Sequence, residues 1–156
     1  MVELADIVPP EGIVLDLPGC TSKRQVLREL SARAATTLGI DQDRLLKALL
    51  ERERLGTTGI GHGIAIPHAK LAELDRMVGL FARLDHAVDF EAVDDVPSDL
   101  IFLLLAPLGA DTDSLKALAR ISRLVRDPAV RERLRVEQDR RAVHGILSHK
   151  PASHAA

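Results

Sequence analysis

The longest apolar run in the chain is Leu100-Ile101-Phe102-Leu103-Leu104-Leu105-Ala106-Pro107, which Asp99 precedes. An apolar run of this kind, without polar residues at alternate positions, is typical of a strand that is covered on both faces. We therefore predict a central strand over Asp99–Ala106. The run is far shorter than the ~20 apolar residues that cross a bilayer, so the sequence predicts no membrane insertion.

Two amphipathic helices are predicted before this strand. The first begins at an N-cap on Thr21 and ends at Gly39, with apolar side chains at helical spacing on one face. The second begins at an Asp41 cap and ends before Gly56. Shorter strands are predicted at 11–17, 64–66 and 77–84.

Three further helices are predicted after the central strand. Asp113 is the predicted cap of the first, Asp127 followed by Pro128 begins the second, and the last runs from Glu137 to Leu147. Helices on either side of covered strands indicate an α/β layered domain.

Length and charge restrict the class of protein. The 156 residues suit one domain, 1–156, with a core at about 7–147 and a fraying tail at 148–156. Lys and Arg number 21 against 23 Asp and Glu, so the net charge of −2 argues against nucleic acid as a partner.

The first residues lack the pattern of a secretory signal, which predicts a cytoplasmic protein. Cys20, the only cysteine, is interpreted as a turn residue.

A glycine-rich stretch lies between the second helix and the central strand, and reads Gly56-Thr57-Thr58-Gly59-Ile60-Gly61-His62-Gly63-Ile64-Ala65-Ile66-Pro67-His68. Glycine lets main-chain N–H groups approach an anion, and Pro67 restricts the backbone just before His68. A neutral imidazole is a competent nucleophile near neutral pH. The stretch therefore favours phosphate chemistry at His68, with an ordinary turn and a solvated histidine as the alternative.

Other kinds of site fit this stretch poorly. It lacks the Gly-Lys-Ser/Thr ending of a nucleotide-binding loop and does not match GxGxxG. His62 and His68 do not form an HExxH pair and have no cysteine cluster beside them, so no metal is expected. Asp85, His86 and Asp89 suggest part of a hydrolase triad, but no GxSxG serine accompanies them.

The sequence resembles the fructose/mannitol-type enzyme IIA domains of the phosphotransferase system, and within them the nitrogen-regulatory branch (IIA-Ntr). The resemblance extends from about Ile7 to Leu147. It implies the enzyme IIA fold, a central mixed sheet flanked by helices. The active-site signature of that family is matched at Glu53, Ile60, Gly61, Ile64, Ala65, Ile66, Pro67, His68 and Ala69.

The resemblance also implies roles for individual residues. His68 would accept a phosphoryl group from an HPr-like phosphocarrier and become a tele-phosphohistidine, with phosphoenolpyruvate as the ultimate source. Arg52, at the position of the family's active-site arginine, would stabilise the phosphate through bidentate hydrogen bonds. Gly61 and Gly63 would offer backbone donors to the phosphate. No metal or cofactor is implied, and the chain would be a phosphoryl-transfer protein with a phosphohistidine intermediate.

One position departs from the family pattern. Many relatives carry a second active-site histidine just before the position of Leu115, where this chain has Ser114. His62 lies an even number of residues before His68, so the two side chains would share one face of a continuous strand. His62 is therefore a candidate for the second imidazole.

Three functions are consistent with these residues. The leading one is a phosphoryl-accepting regulatory protein of the nitrogen-related phosphotransferase system, which changes its regulatory protein targets with the phosphorylation of His68. The second is a sugar-specific IIA subunit that passes the phosphoryl group to a IIB domain. The third is a binding module that keeps the fold without being phosphorylated. Incubation with a phosphorylated HPr-like carrier separates the third from the first two.

Overall fold

A six-stranded mixed sheet forms the centre of the protein in the computed structural model, which describes residues 3–148. The central strand pairs antiparallel with one long neighbour and parallel with two short strands that follow each other along its other side. The strands are β1 (Ile13–Leu17), β2 (Gly59–Gly61), β3 (Ile64–Ala65), β4 (His68–Leu71), β5 (Val78–Val88) and β6 (Ser98–Pro107). Their order in the sheet is β1-β5-β6-β3-β2, with β4 also paired to β6.

The central strand β6 is buried on both faces, as predicted. Side chains of a strand alternate between its two faces, so β6 contributes to two separate apolar clusters. One cluster contains Leu100, Phe102 and Leu104. The other contains Ile101, Leu103 and Leu105.

Helices cover both faces of the sheet, which confirms the predicted architecture of a mixed sheet flanked by helices. The second and third helices supply apolar side chains to the cluster of Ile101, and the other four supply the cluster of Leu100. The helices are α1 (Leu4–Ile7), α2 (Lys23–Leu38), α3 (Gln42–Arg54), α4 (Asp111–Leu124), α5 (Pro128–Val136) and α6 (Arg140–Ser148). Among residues 3–148 no helix has the length and apolar character needed to span a membrane.

Two predicted helix caps are confirmed and two are wrong. Asp41 accepts a hydrogen bond from a backbone N–H at the start of α3 (3.0 Å), and Asp127 does the same at the start of α5 (2.9 Å). The cap of α2 is Ser22 rather than Thr21, because the Ser22 hydroxyl accepts from the third N–H of the helix at 3.2 Å. Asp113 does not cap α4, since that helix begins two residues earlier.

Three other predicted boundaries shift by two or more residues. β1 begins at Ile13 rather than at residue 11, because Pro10–Gly12 forms a turn of 3₁₀ helix. β5 extends beyond residue 84 to Val88. The last helix begins at Arg140 rather than Glu137, because the Glu137 N–H closes the end of α5. The predicted fraying tail lies outside the described residues, apart from its first residue, which ends α6.

The strand β4 brings the candidate histidine to an edge of the sheet. His68 is the first residue of β4 and pairs with Leu104 of β6, and the carbonyl oxygen of Pro67 accepts from the Leu104 N–H at 3.0 Å. α3 packs beside β4, so the end of that helix lies close to His68. Cys20 is buried within the cluster of Ile101, and burial raises the pKa of its thiol.

Candidate active site

The site is built around one contact between a helix end and a strand start. Arg52, in the last turn of α3, donates from Nε to Nε2 of His68 at 3.1 Å. The other ring nitrogen, Nδ1, lies 2.8 Å from the carbonyl oxygen of Ile66. A guanidinium can only donate, so Nε2 must be the acceptor and Nδ1 carries the proton of the neutral ring. These two contacts leave the Nε2 lone pair facing the arginine.

The surroundings of His68 keep its imidazole uncharged at neutral pH. Burial lowers the pKa of His68 below its ordinary value of 6.5, and the positive charges of Arg52 and Lys70 lower it further. The Ile66 carbonyl and the Glu53 carboxylate act in the opposite direction, but they do not outweigh burial. An uncharged ring has a lone pair available for nucleophilic attack.

The guanidinium of Arg52 is also held from its other side. Its Nη1 donates to the carbonyl oxygen of Gly56 at 2.9 Å, whereas Nη2 has no hydrogen-bond partner within residues 3–148. The arginine and His68 share an open cavity of about 580 Å³. That cavity is lined by Ala48, Glu51, Arg52, Leu55, His68, Ala69 and Lys70. The arrangement can present a nucleophilic nitrogen and a positive charge to an anionic group.

A buried carboxylate fastens the loop that follows α3. Glu53 accepts hydrogen bonds from the Thr58 N–H (3.1 Å) and the Thr58 hydroxyl, and from Lys23 Nζ (3.1 Å). Burial lowers the pKa of Lys23, but its hydrogen bonds to Glu91 and Glu53 outweigh this and raise it. The sequence indicates Glu53 only as a position of the family signature and does not point to Lys23. Lys23 is 30 residues from Glu53, and no local pattern signals that pairing.

The structure does not bring His62 to His68. His62 precedes β3, and the β3 residue Ile64 pairs with Leu100 of β6, whereas His68 pairs with Leu104. Four residues along a strand correspond to about 13 Å. The His62 backbone has φ 56°, so the chain turns here and the even spacing does not place the two rings on one strand face. His62 lines a different cavity, with Asp99 and Arg135 among its neighbours.

Gly63 also lies at that second cavity, and Gly61 lies next to Asp94, which lines it. Gly63 lines it, and a Cβ added there would approach Arg135 Nη2 to 2.4 Å. A Cβ on Gly61 would lie 3.0 Å from a carboxylate oxygen of Asp94. Both glycines have left-handed φ angles, 100° and 80°, so they are needed for the turn. Neither lines the cavity that holds His68.

Ser114 lies in the first turn of α4, and its side chain is buried. Its hydroxyl oxygen has no hydrogen-bond partner within residues 3–148. The start of α4 is linked to β4 by an ion pair between Lys70 and Asp111.

The described residues contain no group of three or more His, Cys, Asp or Glu side chains suited to hold a metal ion.

Comparison with known proteins identifies the family. The family described as "Phosphoenolpyruvate-dependent sugar phosphotransferase system, EIIA 2" matches residues 6–150. The chain therefore belongs to the EIIA type-2 family of that phosphotransferase system.

Individual relatives support the nitrogen-regulatory branch. A "Nitrogen regulatory protein" of Bradyrhizobium diazoefficiens is 49% identical over 152 residues, covering 97% of this chain and 99% of the relative. The crystal structure of nitrogen regulatory protein IIA-Ntr from Neisseria meningitidis is 32% identical and has a TM-score of 0.88, covering 92% of this chain and 98% of that one. A "PTS system fructose-specific EIIA component" of Haloferax volcanii is 36% identical over 150 residues, covering 95% of this chain and 96% of the relative. The resemblance to the family and to its nitrogen-regulatory branch is thus confirmed.

Proposed function

We propose that the chain is a phosphoryl-accepting regulatory protein of the nitrogen-related phosphotransferase system, with His68 as the acceptor and an HPr-like phosphocarrier as the donor. The observation that carries this proposal is the orientation of the His68 ring. Ile66 binds the Nδ1 proton, and Arg52 places a positive charge against Nε2. A ring held in this way keeps one unprotonated nitrogen next to a phosphate-binding group.

The transfer step balances without a metal or a cofactor. The Nε2 lone pair of His68 attacks the phosphorus of the carrier's phosphohistidine, and the N–P bond of the carrier breaks. The bonding pair returns to the ring nitrogen of the carrier. Nδ1 of His68 keeps its proton, and the Ile66 carbonyl stabilises the positive charge that the ring gains. The product is a tele-phosphohistidine.

Arg52 is the phosphate-stabilising residue in this scheme. In the unmodified protein its Nε–H points at the attacking nitrogen, 3.1 Å away. Once the N–P bond forms, Nε and the unpartnered Nη2 are free to donate together to two phosphate oxygens, while Nη1 stays on Gly56. Little covalent chemistry is required of the protein in phosphoryl transfer, so positioning and one fixed charge suffice.

Regulation follows from the charge that the modification adds beside exposed apolar surface. A phosphoryl group brings about −1.5 to −2 charges, by analogy with other phosphorylated side chains. Leu55, at the same cavity, is 84% exposed. A partner that covers Leu55 would have to desolvate the new charge, which is costly without a compensating cation. We therefore expect regulatory targets to bind the unphosphorylated form.

The function is tested by incubating the chain with a phosphorylated HPr-like carrier. Mass spectrometry should locate one phosphoryl group on His68, with the acid lability of a phosphoramidate. His68→Ala should take up none, and His144→Ala, at a histidine outside the site, should be labelled like the wild type. Full labelling of His68→Ala would reject His68 as the acceptor. Absence of labelling in the wild type would favour the binding module without phosphorylation.

A sugar-specific IIA subunit is the second candidate, since a relative named as a fructose-specific EIIA component is 36% identical to this chain. It shares the acceptor and differs in the next step. A phosphorylated chain that passes its label to a IIB domain as fast as it receives it would support this candidate. A label that stays on His68 in the presence of a IIB domain would support the regulatory role.

A further inference from the structure

Glu53 is a buried carboxylate next to Arg52 that the proposed transfer does not use. Its side chain is 6% exposed. Oε1 accepts from Lys23 Nζ and the Thr58 N–H, each at 3.1 Å, and Oε2 accepts from the Thr58 hydroxyl. All three of these hydrogen bonds go to Lys23 and Thr58, and none goes to Arg52 or His68. Its role must be sought in what these bonds hold in place.

The bonds to Thr58 close a ring of contacts around Arg52. Glu53 belongs to the end of α3, and Thr58 lies in the loop that leaves it. The carbonyl of Gly56, between them, accepts from Arg52 Nη1 at 2.9 Å. The loop is fastened again at Thr57, whose hydroxyl donates to the Phe90 carbonyl and accepts from the Gly59 N–H at 3.0 Å. The Gly56 carbonyl is therefore held between two anchored residues.

Lys23 makes burial of the carboxylate possible. An ionised carboxylate removed from water needs a charged or hydrogen-bonding partner. Lys23 is 15% exposed, bonds Glu91 at 3.0 Å as well as Glu53, and lies 5.6 Å from the centroid of the Phe90 ring. These contacts connect α2, α3 and the segment after β5 at one point. A cation held on three sides gives Glu53 a defined position.

We propose that Glu53 is a positioning residue: it holds the loop of Gly56 to Thr58 so that the Gly56 carbonyl aims the guanidinium of Arg52 at Nε2 of His68. This inference rests on the proposed function of His68 as the phosphoryl acceptor. A misplacement of about 1 Å at a reacting group can cost about 100-fold in rate. The contact from Arg52 to His68 is a single 3.1 Å bond, so small movements of the loop would break it.

The carboxylate also acts on the ring that Arg52 faces. The charged groups that affect the pKa of His68 are Arg52, Glu53 and Lys70, of which only Glu53 raises it. Removing the negative charge of Glu53 should therefore lower the pKa of His68 further. Nuclear magnetic resonance can follow this change in the unmodified protein, where no carrier is needed.

Three variants test the proposal. Glu53→Ala removes both bonds to Thr58, whereas Glu53→Gln keeps an oxygen for Lys23 and the Thr58 N–H. Thr58→Val removes the hydroxyl alone and serves if Glu53→Ala does not fold. Glu132→Ala, at an exposed glutamate of α5, is the matched control. The saturated rate of transfer should fall about 10- to 100-fold in Glu53→Ala, with Glu53→Gln and Glu132→Ala within a few-fold of the wild type.

A second measurement keeps this proposal separate from the proposed function. In nuclear magnetic resonance spectra, the Arg52 Nε–H proton should be protected from solvent exchange in the wild type and in Glu53→Gln. In Glu53→Ala this protection should be lost. This signal does not depend on phosphorylation. If neither the wild type nor any variant is phosphorylated, but the exchange protection of Arg52 Nε–H differs between them as stated, the proposed function fails and the positioning role stands. Glu53→Ala with wild-type transfer and a protected Arg52 signal would overturn the positioning role.

Discussion

The two ring nitrogens of His68 have different partners, and this difference defines the chemistry of the site. Nδ1 faces a backbone carbonyl and Nε2 faces Arg52. The tautomer is therefore set by hydrogen bonds that do not involve any bound group. This arrangement of single residues makes three predictions.

The first concerns the pH dependence of transfer. Burial, with the charges of Arg52 and Lys70, lowers the pKa of His68 below 6.5. The uncharged, nucleophilic form of the ring therefore predominates at pH 6.5 and above. The rate should stay constant on the acid side of neutrality and fall only below pH 6.5. Arg52→Gln removes a positive charge and should raise the pKa of His68, as a proton resonance titration can measure. A wild-type pKa at or above 6.5 would contradict this account, and Arg141→Gln, at an exposed arginine, is the control.

The second concerns the shape of the Arg52 side chain. Lysine keeps the positive charge, but it cannot bond the Gly56 carbonyl and a phosphate through the two edges of a planar group. Arg52→Lys should fold normally and transfer about 10- to 100-fold more slowly, as rapid-quench measurement of labelled protein can show. Equal transfer rates for Arg52→Lys and the wild type would reject bidentate hydrogen bonding of Arg52 to the phosphate.

The third concerns His62, whose spacing from His68 suggested a second imidazole. Its backbone N–H donates to Asp94 at 2.9 Å and its carbonyl accepts from Arg135 at 2.7 Å, at a cavity separate from that of His68. His62→Asn should therefore transfer like the wild type, and asparagine tolerates the left-handed backbone there. A rate that falls tenfold or changes its pH profile would restore His62 to the reaction.

Among the elements of the fold, β1, β5 and the segment that joins α5 to α6 are connected by one buried arginine. Arg83 of β5 is 3% exposed, and all of its nitrogens are hydrogen-bonded. Nε and Nη2 bond the Asp16 carboxylate at 2.9 and 3.2 Å. Nη1 donates to the carbonyls of Leu134 (3.0 Å) and Glu137 (2.6 Å). The contact with Glu137 accounts for part of the late start of α6.

Arg83→Met should therefore destabilise the protein without affecting the site. It leaves the buried Leu134 carbonyl and the partly buried Glu137 carbonyl without this donor, at a cost of about 1–3 kcal/mol for the buried one. We expect the free energy of unfolding to fall by about 3 kcal/mol in urea titrations at neutral pH. Arg141→Met, at an exposed arginine of α6, should change it little. A stable Arg83→Met would show that these carbonyls find other partners.

The pairing of Arg83 with Asp16 also has a pH signature. The hydrogen bond from Arg83 lowers the pKa of Asp16 below its ordinary value of 3.8. A lowered carboxyl pKa stabilises the folded state above pH 3.8, and this stabilisation disappears as the pH falls through the pKa of the folded state. Asp16→Asn should therefore cost stability at neutral pH and less in acid. The Asp16 side chain is 53% exposed, so solvent limits the size of this effect.

Over the whole molecule, the candidate site lies at an edge of the sheet where apolar side chains reach the surface. Leu55 is 84% exposed at the cavity of His68, and Leu108, at an adjoining cavity that shares Lys70, is 63% exposed. Ile60, a position of the family signature, is 42% exposed but does not line either cavity.

Partner binding should accordingly depend on the phosphorylation of His68. Affinity capture from cell extract with the unmodified chain and with the chain phosphorylated by its carrier should yield at least one protein that binds only the unmodified form. Leu55→Ser should weaken that binding, whereas Val136→Ser, at an exposed apolar residue of α5, should not. Identical partner sets for the two forms would favour the sugar-specific alternative.

Much of this architecture could be predicted because it depends on neighbours along the chain. The unbroken apolar run at 99–106 indicated a strand covered on both faces, and the caps at Asp41 and Asp127 are contacts within two residues. The wrong cap at Thr21 arose because the adjacent polar residues at 21 and 22 compete for one position. The glycines and Pro67 before His68 likewise marked the candidate site within a short stretch.

The arrangement of side chains from distant segments required the folded chain. Lys23 meets Glu53 across 30 residues, and Arg83 meets carbonyls more than 50 residues away. Such contacts leave no periodic pattern, because they arise from the packing of helices and strands whose order in space differs from their order in sequence. For the same reason the spacing of His62 and His68 was misleading: it assumed a continuous strand, and the turn at residues 61–63 carries the two histidines to different cavities.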